Sequence, residues 1–446
     1  MAKSEIIVGL DIGTTKICAI VGQEDEHGKL QILGMGKSDS EGVKRGVVTN
    51  IDLTIKSINR ALGEAEAKSG VRVGKVNVGI AGHHIKSSIE YGSVMSTNTD
   101  GEISKEDVAR LINDMYKIVT PMGTQILHVM PQDFKVDDHP GVKFPIGEAG
   151  KRLEANFHVI TADISAVGNI TKSVKRSGTA KNLEIQDLIL EPLASSLSVL
   201  DDLDKEMGVA LVDIGGGTTD VAVFHDGIIR HTAVIPFGGD IITQDIKEGC
   251  NVLKGEAEQL KVQFGKALAD KAKKNEIITI PGLRRRQAKE ISCHMLSQVI
   301  QSRMEDIIEL VDDQLINSGY KDKLGAGIVL TGGGALLDSA KHLFEYMTGL
   351  GCEVGFPNPH LGKSKDESVK SPMYATAIGL VLAGFKQLDE RGINDKLEKE
   401  VKEADDPVTA RDKGKGMFAS ITKRLGTTIN LKDLIVDKDL EDDSEY

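Results

Sequence analysis

The sequence predicts an α/β protein made of two related halves, each a sheet with helices packed on it, closing around one cleft. Three observations carry this. "LDIGTTK" at residues 10–16 and "VDIGGGTTD" at residues 212–220 repeat one strand-to-turn motif, with Asp11 and Asp213 lying 202 residues apart. The apolar pattern around both motifs runs in the same order: strand, turn, returning strand, turn, third strand. A third glycine turn, "TGGGA" at residues 331–335, follows another apolar run.

In the first half, residues 6–11, 17–22 and 30–37 read as strands. Asn50 then caps a helix whose apolar stripe is Ile51, Ile55, Ile58, Leu62 and Ala65, and "KVNVGIAG" returns as a strand. In the second half, residues 209–213, 220–225 and 228–235 are the matching strands, with Asp226-Gly227 as a hairpin turn. A helix follows "FGGD". Residues 82–155 are weakly patterned, with one clear helix in "DGEISKEDVARLINDMYKIV" and then Pro-containing loops. Residues 254–325 read as mostly helical, with a long stretch at 284–315. "GAGIVLTGGGALLDSAKHLFEYM" gives strand, turn and helix, and an apolar helix at 373–385 closes the fold. Beyond residue 386 the chain turns charged and poor in apolar residues, as a flexible tail does.

A chain of 446 residues needs more than one core. The net charge of −12 argues against nucleic acid as a partner, and 4% aromatic content without Trp argues against a stacking surface. The four cysteines form no CxxC pair and read as buried thiols in a reducing compartment. The N-terminus carries no signal-peptide pattern, and no run is long and apolar enough to span a membrane, so a cytosolic protein is expected.

The glycine turns point to an anion. Without Cβ atoms, several glycines let backbone N–H groups converge on one phosphate. The turns supply Gly13, Thr14, Thr15 and Lys16 in the first half, and Gly215, Gly216, Gly217, Thr218, Thr219 and Asp220 in the second. Gly332, Gly333 and Gly334 form the third turn. Asp11 and Asp213, at strand ends, would repel phosphate directly but can hold Mg²⁺ that bridges to it. One such turn is ordinarily just a tight turn; three at strand ends indicate nucleotide binding between the halves.

Together these segments resemble the actin-like ATPase superfamily, whose fold is a duplicated, ribonuclease H-like one. "DIGTTK" and "DIGGGTTD" resemble its two phosphate loops, and "TGGGALL" its adenosine loop. "EPLASS" resembles its first connecting helix, which makes Glu191 the candidate for positioning an attacking water and so for slow ATP hydrolysis. "EAEQLK" resembles a ribose-holding helix and nominates Glu258 and Lys261. Alone, Glu191 is equally a helix-start carboxylate and Glu258/Lys261 a surface pair.

"AGHHIKSSIEYGSV", "GEAGKRLEANFHVITA", "PFGGDIITQDI" and "VIQSRMEDIIELV" narrow the resemblance to the FtsA family of cell-division proteins, over residues 5–385. The resemblance implies a scaffold that binds ATP and Mg²⁺, polymerises head to tail, and docks the C-terminal peptide of FtsZ beside other division proteins. It implies a peripheral position on the cytoplasmic face of the membrane at the septum. Arg284, Arg285, Arg286 and Arg303 are the candidate peptide-binding cations. Met417, Phe418, Ile421 and Leu425, with Lys423 and Arg424 alongside, form an amphipathic segment suited to anionic lipid, or to a protein partner. The acidic ending at 433–446 departs from the family's usual end. The implied segments are 1–81 (first core subdomain, 1A), 82–158 (FtsA-type insert, 1C), 159–240 (first part of 2A), 241–325 (helical 2B), 326–386 (closure), 387–415 (linker), 416–432 (membrane-targeting) and 433–446 (tail). A sugar or metabolite kinase and a PilM-like pilus scaffold share the fold and stay as alternatives.

Overall fold

The computed structural model describes residues 5–178, 183–281, 288–362 and 366–388. The chain divides into two compact units, one made of residues 1–85 and 164–383, the other including residues 86–163.

The larger unit holds two five-stranded sheets of identical plan. In the first, β1 (Ile6–Ile12) pairs antiparallel with β2 (Lys16–Glu24), and β2 with β3 (Leu30–Asp39). On its other side β1 runs parallel to β4 (Lys75–Ile80), and β4 to β5 (Glu184–Leu190). In the second, β6 (Val209–Ile214), β7 (Thr219–His225) and β8 (Ile228–Ile235) form the same antiparallel meander. There β9 (Gly327–Thr331) and β10 (Cys352–Val354) supply the two parallel strands. The duplication read from the glycine turns is therefore a duplication of topology.

Local sequence explains the principal elements. The helix α1 (Ile51–Ser69) starts where the Asn50 side chain accepts from the Leu53 amide, and stops at Gly70 in the left-handed region. It buries Ile58, Ala61, Leu62 and Ala65. Asp226 and Gly227 both take positive φ, as the two-residue turn between β7 and β8 requires. Against the second sheet lies α6 (Cys293–Ser318), with α4 (Gly239–Cys250) packed on it and α5 (Lys254–Phe264) packed on α4. The buried stripe of α6 is Leu296, Ile300, Met304, Ile307, Val311 and Leu315. Each such side chain contributes about 1.5–3 kcal/mol relative to exposure, so this helix anchors the second core.

Two expected boundaries move. Residues 164–190 belong to the first half: α2 (Ile164–Lys175) precedes β5, the edge strand of the first sheet, and the second sheet begins only at Val209. The long helix starts at Cys293, nine residues later than expected, because Lys289–Ser292 is a strand paired with Ile277–Ile280.

The smaller unit is also more ordered than its pattern suggests. Its four-stranded sheet comprises Ile85–Met95, Arg152–Asp163, Thr124–Val136 and His139–Val142, in that order. Pro131 and the charged Asp133 and Lys135 hide the third of these in the sequence. A register shift between Ala155 and Phe157 sits beside Pro131, which has no amide to give the ladder. The helix Lys105–Met115 is closed by a capping box in which Ser104 and Asp107 exchange hydrogen bonds.

The two halves of the larger unit are tied by α3 (Glu191–Val199) and by the helical residues 375–383. Their crossing depends on Gly379: a Cβ there would lie 1.8 Å from the Ala194 carbonyl oxygen. Gly379→Ala must push the helices apart, and is expected to cost about 2–3 kcal/mol. Urea unfolding checks this; a midpoint equal to the parent's would show that the crossing has slack.

Candidate functional site

The β1–β2 and β6–β7 hairpins superpose residue for residue. Ile12 pairs with Ile17 and Ile214 with Thr219, leaving four residues in each turn. Gly13 thus corresponds to Gly215, Lys16 to Thr218, and Cys18 to Asp220. The two turns meet: an added Cβ on Gly216 would fall 2.5 Å from the Thr15 side chain, and one on Gly217 2.3 Å from Thr14 Oγ1. No other residue type fits so close an approach.

The second turn is also oriented. The carbonyls of Gly215 and Gly216 accept from the amides of Gly239 and Asp240 at the start of α4. Because a trans peptide sets its N–H opposite its C=O, the amides of Gly216 and Gly217 face the other way. The third turn begins at Gly332, with φ of +81°, where a Cβ would lie 2.3 Å from Asp213 Oδ1.

All three turns line one cavity of about 680 Å³, within the range of small-molecule sites. Asp11, Gly13, Thr14, Thr15, Lys16, Glu191, Asp213, Gly215, Gly216, Gly217, Thr218, Asp220, Glu258, Lys261, Gly332, Gly333 and Gly334 are all on its wall. Thr219 is not: it is buried on the opposite side of β7, where its hydroxyl donates to the Phe237 carbonyl. Strand alternation separates it from Thr218 and Asp220. Glu258 and Lys261 pair at 2.8 Å, and Lys261 also donates to the Gly239 carbonyl at 2.9 Å, fastening α5 to the start of α4.

Charge is unbalanced on this wall. Glu191 is held well above the usual carboxylate range by burial, then by Asp11, Asp220 and Asp213. Burial is also the main reason Asp213 and Asp220 are raised. Lys16 is the nearby cation, 3.5 Å from Asp11. Burial pulls its pKa down, but Asp11, Cys18, Asp213 and Tyr374 together push it above the ordinary value. Asp220 Oδ2 accepts from Thr218 Oγ1, whereas its buried Oδ1 has no partner. Among the described residues no group of three or more His, Cys, Asp or Glu side chains can hold a metal by itself. A cation here needs oxygens from a ligand as well.

Sequence reasoning missed Ser195 and Thr376, whose hydroxyls both contact Asp213 Oδ2. Ser195 lies inside "EPLASS", one helical turn after Glu191, a spacing that puts it on the same face. Nothing in the local pattern marks Thr376. Of the partner-binding candidates, Arg303 is engaged internally: Nε lies 2.5 Å from Asp245 and Nη1 2.7 Å from Asp306. Its charge is spent holding α6 to α4. Arg284, Arg285 and Arg286 lie outside the described residues, as do Met417, Phe418, Ile421, Lys423, Arg424 and Leu425.

Comparison with known proteins bears on the same elements. The family description "Cell division protein FtsA" matches residues 210–379, and "SHS2 domain inserted in FTSA" matches residues 82–161. The chain is 41% identical to cell division protein FtsA of Pseudomonas aeruginosa, covering 86% of this chain and 90% of that one. It belongs to the FtsA family. FtsA of Neisseria meningitidis is 38% identical, with 84% and 89% covered, and that of Escherichia coli 33%, with 85% and 90%. The fold is actin-like with an FtsA-type insert. A PilM-PilN type IV pilus biogenesis complex shares it with a TM-score of 0.61, at 16% identity, over 85% of this chain and 98% of that one. That likeness is one of fold alone, so the pilus alternative gains nothing from it.

The raised carboxylates set a pH dependence. A group whose folded pKa is raised contributes stability that is present below the ordinary carboxylate pKa and lost as pH rises through the folded value. Asp220→Asn removes one such charge while keeping an acceptor for Thr218. Without nucleotide or divalent ions, its melting temperature is expected to exceed the parent's by a few degrees at pH 7.5 and to match it near pH 4. A difference that does not change with pH would count against buried charge as the cause.

Proposed function

We propose that this FtsA-family protein is a nucleotide-binding division scaffold. It takes ATP with Mg²⁺ in the cleft, associates head to tail with copies of itself, and holds FtsZ filaments at the cytoplasmic face of the membrane. The observation that carries the nucleotide part is the pair of register-matched hairpins meeting on one cavity, with carboxylates and Lys16 on the wall beside them.

The residues fit Mg-nucleotide. Gly216 and Gly217 turn their amides away from α4, and Thr14 and Thr15 add hydroxyl donors, a donor set suited to phosphate oxygens. Lys16 supplies the point charge on the side of the first half. Asp11 and Asp213 would hold Mg²⁺, which when bound neutralises phosphate charge and offsets the excess of carboxylates. The third glycine turn and the Glu258–Lys261 pair bound the cavity where a nucleoside would extend. Glu191, at the first turn of α3, is the residue to orient a water for hydrolysis; its raised pKa suits a group that holds or takes up a proton.

Membrane and FtsZ attachment rest on the family and on the C-terminal sequence. Between residues 411 and 432 there are six basic residues and one acidic, interleaved with Met417, Phe418, Ile421 and Leu425. Among the described residues no helix is long and apolar enough to cross a membrane. A peripheral mode of attachment agrees with that composition.

Two measurements test the reading. Asp213→Ala is expected to weaken Mg-ATP binding at least tenfold by calorimetry, and unchanged affinity would remove the cleft from the argument. Sedimentation with anionic liposomes should carry the full chain down with Mg-ATP and leave a chain stopped at Lys415 in solution. A full chain that stays in the supernatant would reassign the tail.

A further inference from the structure

Asp213 is nearly enclosed, and what encloses it is specific. Its Oδ2 accepts from Ser195 Oγ at 2.7 Å and from Thr376 Oγ1 at 3.2 Å, while the two hydroxyls lie 3.0 Å apart. Ser195 is fully buried, and Asp213 and Thr376 are 7% and 8% exposed. Two hydroxyl protons serve three short contacts, and Asp213 Oδ2, with two lone pairs and no proton the contacts require, can accept both. The donors therefore select one orientation of Asp213: Oδ2 is saturated by hydroxyls, and Oδ1 is the oxygen beside Gly332, where the cavity wall has no side chain.

The donors come from different places in the chain. Ser195 lies on α3, and Thr376 on the helical residues 375–383, one helical turn from Gly379, where that helix crosses α3 at Ala194. Next to the triangle, Ser198 Oγ donates to the Ala375 carbonyl at 2.7 Å, so a second polar contact pins the same crossing. A carboxylate meant only to be neutralised would not need one donor from each of the two helices that join the halves.

We infer that Ser195 and Thr376 are positioning residues: as a paired hydroxyl clamp they fix the Asp213 carboxylate, so that its free oxygen is presented to a divalent cation brought by a nucleotide. The inference rests on the nucleotide reading and deepens it. Without the clamp, Asp213 can rotate about its χ angles, and the orientation must be fixed when the cation binds, which weakens binding only where the cation takes part.

The test compares the parent, Ser195→Ala, Thr376→Val and the double variant, with affinity for a non-hydrolysable ATP analogue measured by calorimetry in Mg²⁺ and again in EDTA. In Mg²⁺ each single variant is expected to lose about tenfold in affinity, as for a lost hydrogen bond to a charged group, and the double less than the product of the two. In EDTA all four should bind alike. Ser195→Thr and Thr376→Ser, which keep the hydroxyls, should restore most of the Mg²⁺-dependent affinity. Equal losses in Mg²⁺ and EDTA, or no loss in a variant that melts like the parent, overturn the clamp while leaving the nucleotide reading intact. A parent chain that binds no nucleotide in either condition overturns both.

Discussion

The structure is organised around buried negative charge. Asp11, Asp213 and Asp220 end or flank the paired hairpin strands, Glu191 begins a helix beside them, and Lys16 stands close against Asp11. Two like charges about 4 Å apart repel by roughly 4 kcal/mol even at an effective dielectric constant near 20. No fold accumulates this without rigid surroundings, and the surroundings are the two sheet cores. Val209–Ile214 is buried along its whole length, and β1 from its second residue onward. The sheets hold the carboxylates where water cannot fully screen them, and burial accordingly raises the pKa values of Glu191, Asp213 and Asp220.

Duplication explains how one site came to hold both signs of charge. The two hairpins share strand register and turn length, yet corresponding positions differ: Lys16 stands opposite Thr218, and Cys18 opposite Asp220. The first hairpin contributes a cation and, behind it, a thiol whose pKa burial pushes up to about 12. The second contributes hydroxyls and a further carboxylate. Matched registers with different side chains give complementary halves, which is more than two copies of one turn would provide.

Much of this was legible in the sequence because glycine, aspartate and β-branched residues report local backbone demands. The repeated Asp-Ile-Gly turns, the Asn50 cap and the Asp226-Gly227 turn all announce conformations that few other residues adopt. The inserted sheet was not legible, because its longest strand contains Pro131 and alternates buried residues with charged ones over an irregular register. Thr219 was assigned to the site with its neighbours, since a motif has no faces until the strand is built. Ser195 and Thr376 show the opposite limit. They are 181 residues apart and meet only through the crossing at Gly379, which no local pattern encodes.

The contact between the turns constrains how such a molecule can move. Gly216 and Gly217 lie so close to Thr15 and Thr14 that a side chain added at either glycine would displace the facing threonine. The crossing of α3 with residues 375–383 is equally tight, with Gly379 against the Ala194 carbonyl. Two close contacts, one at the cleft and one at the base, hold the halves against each other. Asp213 belongs to both regions: it lines the cavity and is bonded to both crossing helices.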